Sequence, residues 1–428
     1  MKVLGKERQV LLGNIDVAGL SQVKGYEAQG GYQTLKNALG MKPDEIIDQV
    51  KKSGIRGRGG AGFPTGMKWG FVPFGSGKPI FLLCNADESE PGCFKDRLLL
   101  EKNPHLLIEG IAIASYAVRC HKSYIYIRGE YAFAAKVVEK AIDEAYAKGY
   151  LGKNILGSSH SIDLVLHRGA GAYICGEETG LISSLEGKKG YPKLKPPFPA
   201  VSGFMGNPTV VNNVETLCTV PWIVQNGGEA YAKYGYGSRK SRGTRLFCIS
   251  GWVNKPGVYE EELGMPLRDF IEHHGGGMKG GAKLKAVIPG GSSTPPLTPA
   301  EVEKTLLDFE SVGQFGSFLG AGGIIVIPEH MCLLKILERI SEFYWDESCG
   351  QCTPCREGTG WLYKMVGSIE HGKAHPRILD DLKKTAQAMM GSTICALSDA
   401  AALPVAGFLN KFPEEFDRHL EAGRCPYE

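Results

Sequence analysis

The stretch Cys349-Gly-Gln-Cys352-Thr-Pro-Cys355 places three cysteines at intervals of three residues. Thiolates at this spacing in a tight turn can occupy three corners of one metal cluster, and Cys395 is the best nearby candidate for a fourth ligand. A C-x₂-C-x₂-C run with a separate fourth cysteine is the spacing of a [4Fe–4S] cluster, whereas structural zinc more often takes two C-x₂-C pairs. A second pair is missing here. The pattern therefore favours an iron–sulfur cluster, and zinc is the weaker alternative.

The remaining cysteines show no comparable pattern. Twelve cysteines in 428 residues are too sparse for a disulfide scaffold. Eight of them lack ligand spacing and are interpreted as small apolar residues of the core or surface. These are Cys84, Cys93, Cys120, Cys175, Cys218, Cys248, Cys332 and Cys425.

The composition is that of a soluble globular protein. The chain is long enough for about three domains of roughly 150 residues each. Hydrophobic residues make up 43%, charged residues 22%, and the net charge is +3 with both signs interspersed. This balance argues against nucleic acid or an anionic membrane as a partner. We expect no signal peptide at the N-terminus and no direct membrane insertion, and hence a cytoplasmic protein with reduced thiols.

Short apolar runs alternate with helical patterns in the first half of the chain. Strands are predicted at residues 78–84, 123–128 and 162–167, with helices at 104–119 and 132–149 between them. Strand–helix alternation predicts a parallel sheet with covering helices. Before it, a lead-in holds a brief strand at Val10-Leu-Leu, a small helix at 30–39 and a clear helix at 43–54.

A glycine-rich loop follows the helix at 43–54. Residues 57–66 contain five glycines, and Gly57-x-Gly59-x-x-Gly62 has the letters of a dinucleotide fingerprint. That fingerprint should follow a strand, and here it follows a helix, so the match is weak. Glycines still allow backbone N–H groups to approach an anion, and we expect Arg56 and Arg58 to add charge. The loop is therefore either a site for a phosphate or flat ring, or a mobile surface loop.

Two further loops are candidates for ligand binding. Residues 85–92, with three acidic side chains, follow the first strand of the sheet, and residues 168–179 follow the third. Ligands of open α/β sheets bind at the carboxyl ends of strands, although an ordinary polar turn would also explain the first loop. Residues 210–216 are predicted to start a helix, where Asn212 and Asn213 either cap it or contact a ligand.

The pattern changes near residue 240. Strands at 244–251, 285–290 and 323–328, with a helix at 266–275, predict a β-grasp module that carries no chemistry of its own. The helix at 331–344 then leads to the cysteine turn. Two or three further helices are expected to carry Cys395, which gives a helical bundle around the cluster.

Five motifs in one order carry a family resemblance: Arg56–Gly66, Cys84–Gly92, Gly169–Thr179, Val211–Thr216 and Glu347–Arg356. Together they resemble the flavin-bearing, NADH-oxidising subunit of respiratory complex I, over almost the whole chain from about residue 30. The resemblance implies FMN, one [4Fe–4S] cluster and NADH as substrate. It also implies an α/β fold: a Rossmann-like flavin and NADH domain (41–240) after a lead-in (1–40), then a β-grasp, SLBB-like domain (241–328) and a helical cluster-binding domain (329–428).

The family also implies the residues at the site. Cofactor contacts would come from Gly57, Arg58, Gly59, Gly60, Lys68, Asn85, Asp87, Glu88, Tyr173, Gly176, Glu177, Val211, Asn212 and Asn213. NADH would stack between Phe63, Phe71 and Phe198, near Glu90, Glu178 and Lys195. The cluster ligands would be Cys349, Cys352, Cys355 and Cys395. Ser398 stands where the family leads us to expect glycine, which casts little doubt on Cys395 itself.

The implied mechanism follows from what each cofactor carries. NADH gives up two electrons as hydride and a cluster accepts one, so the flavin must lie between them. No side chain needs to act as acid or base; Glu90 and Glu178 would position NADH. The family suggests two partners, a small thioredoxin-like [2Fe–2S] subunit and a larger multi-cluster subunit, in the peripheral arm of a membrane-bound complex.

Two alternatives remain open from the sequence. The same electron-input module occurs in soluble NAD-linked hydrogenases and formate dehydrogenases, which often carry fused ferredoxin-like or thioredoxin-like segments that this chain lacks. A non-catalytic iron–sulfur scaffold that has lost its flavin is the second alternative, and the intact glycine loops argue against it.

Overall fold

A four-stranded parallel sheet organises the first half of the computed structural model, which describes residues 3–238 and 240–427. In chain order the elements of this half are α1 (Val23–Ala28), α2 (Gln33–Ala38), α3 (Pro43–Ser53), α4 (Thr65–Gly70), β1 (Phe81–Ala86), α5 (Lys95–Lys102), α6 (Pro104–Ala117), β2 (Lys122–Ile127), α7 (Ala132–Ala147), β3 (Asp163–Arg168), α8 (Glu178–Leu185), β4 (Thr209–Asn213), α9 (Val214–Asn226) and α10 (Gly228–Tyr231). The strand order is β3-β2-β1-β4, which matches the first four strands of the order 3-2-1-4-5-6 in dinucleotide-binding folds.

The predicted strands β1, β2 and β3 are confirmed, but the sequence prediction missed β4. Residues 209–213 pair in parallel with β1, which puts Asn85 opposite Asn213. The helix predicted there starts only at Val214, because the Asn213 side chain accepts a hydrogen bond from the backbone N–H of Glu215 and caps α9. Strand order reverses between β1 and β4. The carboxyl ends of these two strands are therefore where a crevice is expected.

The brief strand predicted at Val10-Leu-Leu is wrong. The backbone N–H groups of Val10, Leu11 and Leu12 all donate to the carboxylate of Glu260, at 2.8–2.9 Å. A buried carboxylate thus satisfies donors that a strand would have offered to a neighbouring strand. The side chains of Leu11 and Leu12 pack into the same hydrophobic core as the helices that cover the parallel sheet.

A mixed sheet forms the next part of the chain. Its elements are β5 (Thr244–Gly251), β6 (Gly257–Glu262), α11 (Leu267–His273), β7 (Leu284–Ile288), α12 (Pro299–Val302), α13 (Phe309–Gln314) and β8 (Gly323–Pro328). The strand order is β6-β5-β8-β7, with β5 and β8 parallel and the outer pairs antiparallel. Phe270 and Ile271 of α11 are buried in the core of this sheet. The predicted β-grasp arrangement is confirmed.

Helices complete the chain: α14 (Leu333–Asp346), α15 (Thr353–Glu370), α16 (Ile378–Met389), α17 (Leu397–Lys411) and α18 (Pro413–Ala422). In the described part of the chain, four helices follow the cysteine turn, where two or three were predicted. Cys395 belongs to none of them, because it lies in the turn immediately before α17. The predicted apolar face of α14 is confirmed, since Leu333, Leu337 and Tyr344 are fully buried. None of the helices in residues 3–238 and 240–427 has the length and apolar character needed to span a membrane.

Candidate functional site

A cavity of about 510 Å³ opens at the carboxyl ends of β1 and β4. This volume lies within the usual range for small-molecule and cofactor sites. Of the residues predicted at the site, those that line it are Arg58, Gly59, Gly60, Asn85, Asp87, Glu88, Glu90, Tyr173, Gly176, Glu177 and Asn213. All three candidate loops therefore meet at the crevice that the strand order marks.

The glycine loop forms one wall of the cavity through its backbone. At Gly59 a Cβ atom would come within 3.3 Å of Asn213 Cβ, so the loop lies close against the end of β4. Gly60 has φ +127°, and a Cβ there would meet no atom within 4 Å. The first position keeps the loop close to the sheet. The second leaves an open, side-chain-free surface toward a ligand.

The arginines of this loop do not add charge to the cavity as predicted. The Arg58 side chain is fully buried, and its guanidinium donates to the carbonyl of Thr244 at 2.7 Å. Arg56 pairs with Glu310 at 2.7 Å and stacks over the Phe309 ring. Both guanidinium groups thus anchor the loop to the β-grasp part of the chain, and neither is directed at a ligand in the cavity.

A buried network of ion pairs lies beside the cavity, and it was not predicted from the sequence. Lys95 Nζ pairs with Glu215 at 2.7 Å and with Asp96 at 2.7 Å. Asp96 in turn accepts a 2.6 Å hydrogen bond from the amide of Asn213. Burial alone would lower the pKa of Lys95, but the carboxylates of Asp96 and Glu215 raise it above its ordinary value. The lysine therefore stays charged and holds the end of β4 in place.

The acidic residues after β1 have three different environments. Glu88 accepts the backbone N–H groups of Lys95 and Asp96, so its carboxylate caps α5. Glu90 accepts from the Tyr173 hydroxyl at 2.7 Å and from the backbone N–H of Ser293 at 2.8 Å, and burial raises its pKa. The Asp87 carboxylate accepts from the Ser89 hydroxyl, its one hydrogen-bond donor among the described residues.

Asp87 is the acidic residue with spare hydrogen-bonding capacity. Its Oδ1 atom is buried without a hydrogen-bond partner among the described residues, and burial raises its pKa to about 7. A buried acceptor with no protein donor is a cost to the folded state unless a ligand supplies one.

The other predicted site residues lie outside the cavity lining. They are Gly57, Phe63, Lys68, Phe71, Glu178, Lys195, Phe198, Val211 and Asn212. Lys68 donates to Glu178 at 3.1 Å and to the carbonyl of Val211 at 2.9 Å. Lys195 pairs with Glu178 at 3.4 Å. Although burial raises the pKa of Glu178, these two ammonium groups bring it below its ordinary value.

Three phenylalanines predicted to stack on NADH have exposed rings. Phe63, Phe71 and Phe198 are each about half exposed, at 45%, 53% and 58%. The rings of Phe63 and Phe71 lie 6.0 Å apart between centroids. Two neighbouring exposed aromatic rings form a surface on which a planar group can stack.

The β-grasp part, to which the sequence prediction gave no chemistry of its own, supplies residues to the lining of the cavity. Ser293, Thr294, Phe318, Gly320 and Ala321 all line the cavity. They come from turns around β7 and β8, more than 190 residues away from the glycine loop in sequence. Lys95 and Asp96 stand directly after the acidic turn, a signal that could have found them. The β-grasp residues carry no such local signal.

The four predicted cluster cysteines line one small cavity. Cys349 and Cys352 come from the turn after α14, Cys355 from the first turn of α15, and Cys395 from the turn before α17. Cys355 is buried and the other three are partly exposed. Four thiols from two turns around one cavity are the donor set of a cluster of the [4Fe–4S] type.

The two cavities share a wall. Ile174, Cys395 and Leu397 line both the large cavity and the four-cysteine cavity. The two sites are therefore separated by a single layer of side chains. An electron carrier in one cavity would lie close to a carrier in the other.

The residues present fit a flavin and an iron–sulfur cluster. The large cavity offers a side-chain-free wall at Gly60, an unpartnered acceptor at Asp87 and a volume suited to a mononucleotide. The small cavity offers four thiols. These features follow from the geometry alone.

Comparison with protein-family models gives three matches in the same order. Residues 50–222 match the Nuo51 FMN-binding domain, residues 245–325 an SLBB domain, and residues 335–419 the NADH-ubiquinone oxidoreductase-F iron-sulfur binding region. The large cavity lies mainly in the first region, and the four cysteines predicted as cluster ligands all lie in the third. The chain is thus a protein of the class that combines an FMN-binding domain, an SLBB domain and an iron–sulfur binding region, in that order along the sequence.

Two relatives that align over nearly the whole chain identify the family to which it belongs. The chain is 51% identical over 419 residues to the F 2 subunit of NADH-quinone oxidoreductase in Rhizobium meliloti (strain 1021), and the alignment covers 98% of this chain and 99% of the relative. It is 50% identical over 403 residues to the F subunit of the same enzyme in Streptomyces coelicolor (strain ATCC BAA-471 / A3(2) / M145), with 94% and 89% covered. The chain belongs to the family of NADH-quinone oxidoreductase F subunits.

A solved structure matches the fold as well. A chain of an NAD⁺-reducing [NiFe]-hydrogenase in the H₂-reduced state superposes with a TM-score of 0.85 at 34% sequence identity. The match covers 98% of this chain and 68% of the hydrogenase chain. The resemblance stated from the sequence is therefore confirmed, as are the fold class and the FMN and [4Fe–4S] cofactors.

Proposed function

We propose that this chain is the NADH-oxidising electron-input subunit of an NADH–quinone oxidoreductase. The observation that carries the proposal is the wall that the two cavities share, formed by Ile174, Cys395 and Leu397. FMN, when bound, supplies the chemistry that couples a two-electron hydride donor to a one-electron acceptor. The protein supplies binding, orientation and charge.

The flavin is held in the large cavity by residues of three segments. Gly59 and Gly60 would offer it a backbone surface without side chains, and Asn85 and Asn213, at the ends of β1 and β4, also line the cavity that would hold it. Asp87 would accept a hydrogen bond from it through the otherwise unpartnered Oδ1 atom. Tyr173, Gly176 and Glu177 would complete the lining around it. The remaining predicted contacts are Gly57, Arg58, Lys68, Glu88, Val211 and Asn212; of these, Lys68 donates to the Val211 carbonyl and Asn212 accepts from the Trp69 indole.

NADH binds at the exposed edge of this cavity. Phe63 and Phe71 offer their rings for stacking, with Phe198 as a third aromatic group. Glu90 and Glu178 would act as hydrogen-bond acceptors for the polar parts of the dinucleotide, and Lys195 would supply a counter-charge to its phosphates. None of these groups acts as an acid or a base, because hydride transfer moves a hydrogen together with its two electrons and needs no separate proton transfer.

The cysteines Cys349, Cys352, Cys355 and Cys395 hold the cluster. Three of the four are partly exposed, so the cluster lies near the protein surface, where an electron can leave to a partner. We propose that the partners are a small thioredoxin-like [2Fe–2S] subunit and a larger multi-cluster subunit, in the cytoplasmic peripheral arm of a membrane-bound complex. We also propose the domain division 1–40, 41–240, 241–328 and 329–428, of which residues 1, 2, 239 and 428 lie outside the described part.

A second candidate function is favoured by the hydrogenase match. The solved relative belongs to an NAD⁺-reducing [NiFe]-hydrogenase, and its chain is longer than this one. The same site would then pass electrons between NAD(H) and a hydrogenase partner. Purification with native partners, and identification of those partners by mass spectrometry, separates the two functions.

An anaerobic NADH titration tests the proposal. The purified protein is followed by optical absorption at the flavin band and by low-temperature EPR, with dithionite as the reductant control. NADH should bleach the flavin, and the reduced-cluster signal should be absent in Cys352→Ser. Protein isolated with its partners that contains no flavin and shows no bleaching would contradict the proposal and favour the scaffold alternative.

A further inference from the structure

Four potential metal ligands meet at the end of the helical bundle opposite the cluster cysteines. Cys332 precedes α14, Glu370 is the last residue of α15, His419 lies on α18 and Cys425 follows α18. All four are buried, and one ligand atom from each lies within 4.8 Å of the others. The cluster cysteines stand at the other ends of α14 and α15. An 18-residue helix is about 27 Å long, so the two groups are separate sites.

The distances within the group are those of side chains facing one centre. His419 Nε2 lies 3.0 Å from Glu370 Oε2 and 3.3 Å from Cys332 Sγ, and Cys332 Sγ lies 3.1 Å from Glu370 Oε2. A tetrahedral zinc ion with bonds of about 2.0–2.3 Å separates its ligand atoms by roughly 3.3–3.8 Å. Only small side-chain movements would be needed to reach that geometry.

The histidine is oriented as a ligand. His419 Nδ1 lies 2.6 Å from the backbone carbonyl of Glu415, which can only accept, so Nδ1 carries the proton and donates. In the neutral ring the lone pair is then on Nε2, the atom that faces Cys332 and Glu370. Metal-binding histidines commonly donate their second ring nitrogen to a carbonyl in this way.

The other donors also have features of a cation site. Glu370 Oε1 is buried and has no hydrogen-bond partner among the described residues, and the residue is only 2% exposed. Cys332 Sγ accepts the backbone N–H of Lys335 at the start of α14, where a helix favours negative charge on a thiolate. An internal hydrogen-bond network would leave the Glu370 oxygen unpaired, whereas a cation would satisfy it.

We propose that Cys332, Glu370, His419 and Cys425 bind a structural Zn²⁺ ion. Two sulfur donors with one imidazole and one carboxylate suit tetrahedral zinc, and four protein ligands leave no open coordination position. The ion ties the start of α14 and the end of α15 to α18 and the C-terminal segment. The turns after α15 and α18 already meet closely there, since a Cβ at Gly372 would come within 1.9 Å of the Gly423 carbonyl oxygen.

Elemental analysis of the purified holo-protein tests this site. Inductively coupled plasma mass spectrometry should find about one zinc per chain beside the cluster iron. Cys332→Ser and Cys425→Ser should each lose at least about 90% of the zinc and keep their iron and flavin. Cys120→Ser is the matched control, because Cys120 is also a buried free thiol but donates only to Lys122 O and lies near Ser123. It should keep its zinc.

A measurement on the unmodified chain decides the matter if the variants fail to fold. Zinc-edge X-ray absorption should show a first shell of about two sulfurs near 2.3 Å and about two nitrogen or oxygen atoms near 2.0 Å. A shell without sulfur, less than about a tenth of a zinc per chain after production in zinc-supplemented medium, or a Cys332–Cys425 disulfide in peptide mapping would overturn the proposal. Retention of zinc in both serine variants would do the same.

Discussion

The Tyr173 hydroxyl donates a 2.7 Å hydrogen bond to Oε2 of Glu90, and both residues line the large cavity. The backbone N–H of Tyr173 donates to Glu347, two residues before the first cluster cysteine. Glu90 also accepts the N–H of Ser293 from the β-grasp part. These three bonds join the parallel sheet, the β-grasp sheet and the helical bundle at one point. The position of the cavity wall relative to the cluster therefore depends on them.

Glu90→Gln should tighten NAD⁺ binding. The substitution removes a negative charge beside the site proposed for a dinucleotide with two phosphates, and the loss of repulsion should lower the NAD⁺ dissociation constant by about threefold to tenfold, or roughly 0.7–1.4 kcal/mol. The glutamine can keep both hydrogen bonds, because its oxygen can accept from Ser293 and its amide can donate to the Tyr173 hydroxyl. Product inhibition of NADH oxidation by NAD⁺ provides the measurement.

The control for this variant is Glu101→Gln. Glu101 pairs with Arg97 on the outer surface of α5, away from the lining of the cavity. Its substitution should leave the NAD⁺ inhibition constant unchanged. If Glu90→Gln bound NAD⁺ no more tightly than the unmodified protein does, the proposed electrostatic role of Glu90 would be wrong.

Gly60→Ala should reduce FMN content. The position has φ +127°, which is unfavourable for any residue with a Cβ, and the added methyl group would project into the open space of the cavity. Gly75→Ala is a matched control, because Gly75 also has a positive φ of +92° and open space at its Cβ, but lies outside the cavity lining. Both variants should lose about 1 kcal/mol of stability.

Only Gly60→Ala should also lose flavin, measured as FMN released per chain on denaturation. Equal flavin content in the two variants would mean that backbone strain alone explains the effect, and that the glycine loop does not contact the flavin.

Asp87 should make FMN binding dependent on pH. Burial raises its pKa to about 7 in the flavin-free protein, so the carboxyl is protonated below this pH and loses an acceptor. FMN affinity should therefore rise between pH 5.5 and 7, by up to about tenfold per unit, and level off above pH 7. Stability of the flavin-free protein should change in the opposite direction. The folded state binds more protons than the unfolded state between about pH 4 and 7, so this contribution falls as pH rises.

Asp87→Asn separates this effect from the titration of the FMN phosphate. Both proteins bind the same phosphate, so the difference between their affinities isolates the side chain. Fluorescence quenching of FMN on binding to flavin-free protein gives the affinities. Parallel pH profiles for the two proteins would exclude Asp87 as the titrating acceptor.

Local patterns were sufficient to predict much of this fold. The strands β1, β2, β3, β5 and β8 and the buried face of α14 follow from apolar runs and helical spacing within about fifteen residues of sequence. The cysteine spacing predicted which four thiols would meet, because the turn itself places three of them. The sequence failed at Val10-Leu-Leu, where the donors bind Glu260, some 250 residues away.

The same distinction explains the errors at the site. Arg56 and Arg58 have the sequence context of anion-binding residues, but their directions are set by Glu310 and Thr244 in another part of the chain. Ser293 and Thr294 reach the cavity only because the β-grasp sheet packs against it. Cys332 and Cys425 have no ligand spacing in sequence, yet three helices bring them together with Glu370 and His419. Long-range packing determines each of these positions.

Glu215→Gln should be among the most destabilising single substitutions near the cavity. Glu215 is fully buried, pairs with Lys95 at 2.7 Å and lies 3.9 Å from the buried Arg58 guanidinium. Removal of its charge leaves the buried Arg58 guanidinium without this nearby carboxylate and leaves Lys95 with Asp96 alone. Loss of one partner of a buried ion pair typically costs about 3–5 kcal/mol. Asp380→Asn removes an equally charged partner from Lys384, but both side chains there are about two-thirds exposed, and such pairs contribute less than about 1 kcal/mol. Thermal unfolding followed by circular dichroism should therefore show a large fall in midpoint for Glu215→Gln and almost none for Asp380→Asn.

Because Lys95 also holds Asp96, and Asp96 holds Asn213, Glu215→Gln should release flavin at temperatures well below unfolding. Loss of flavin and loss of structure at a single temperature would instead indicate that the network supports the fold without positioning the end of β4.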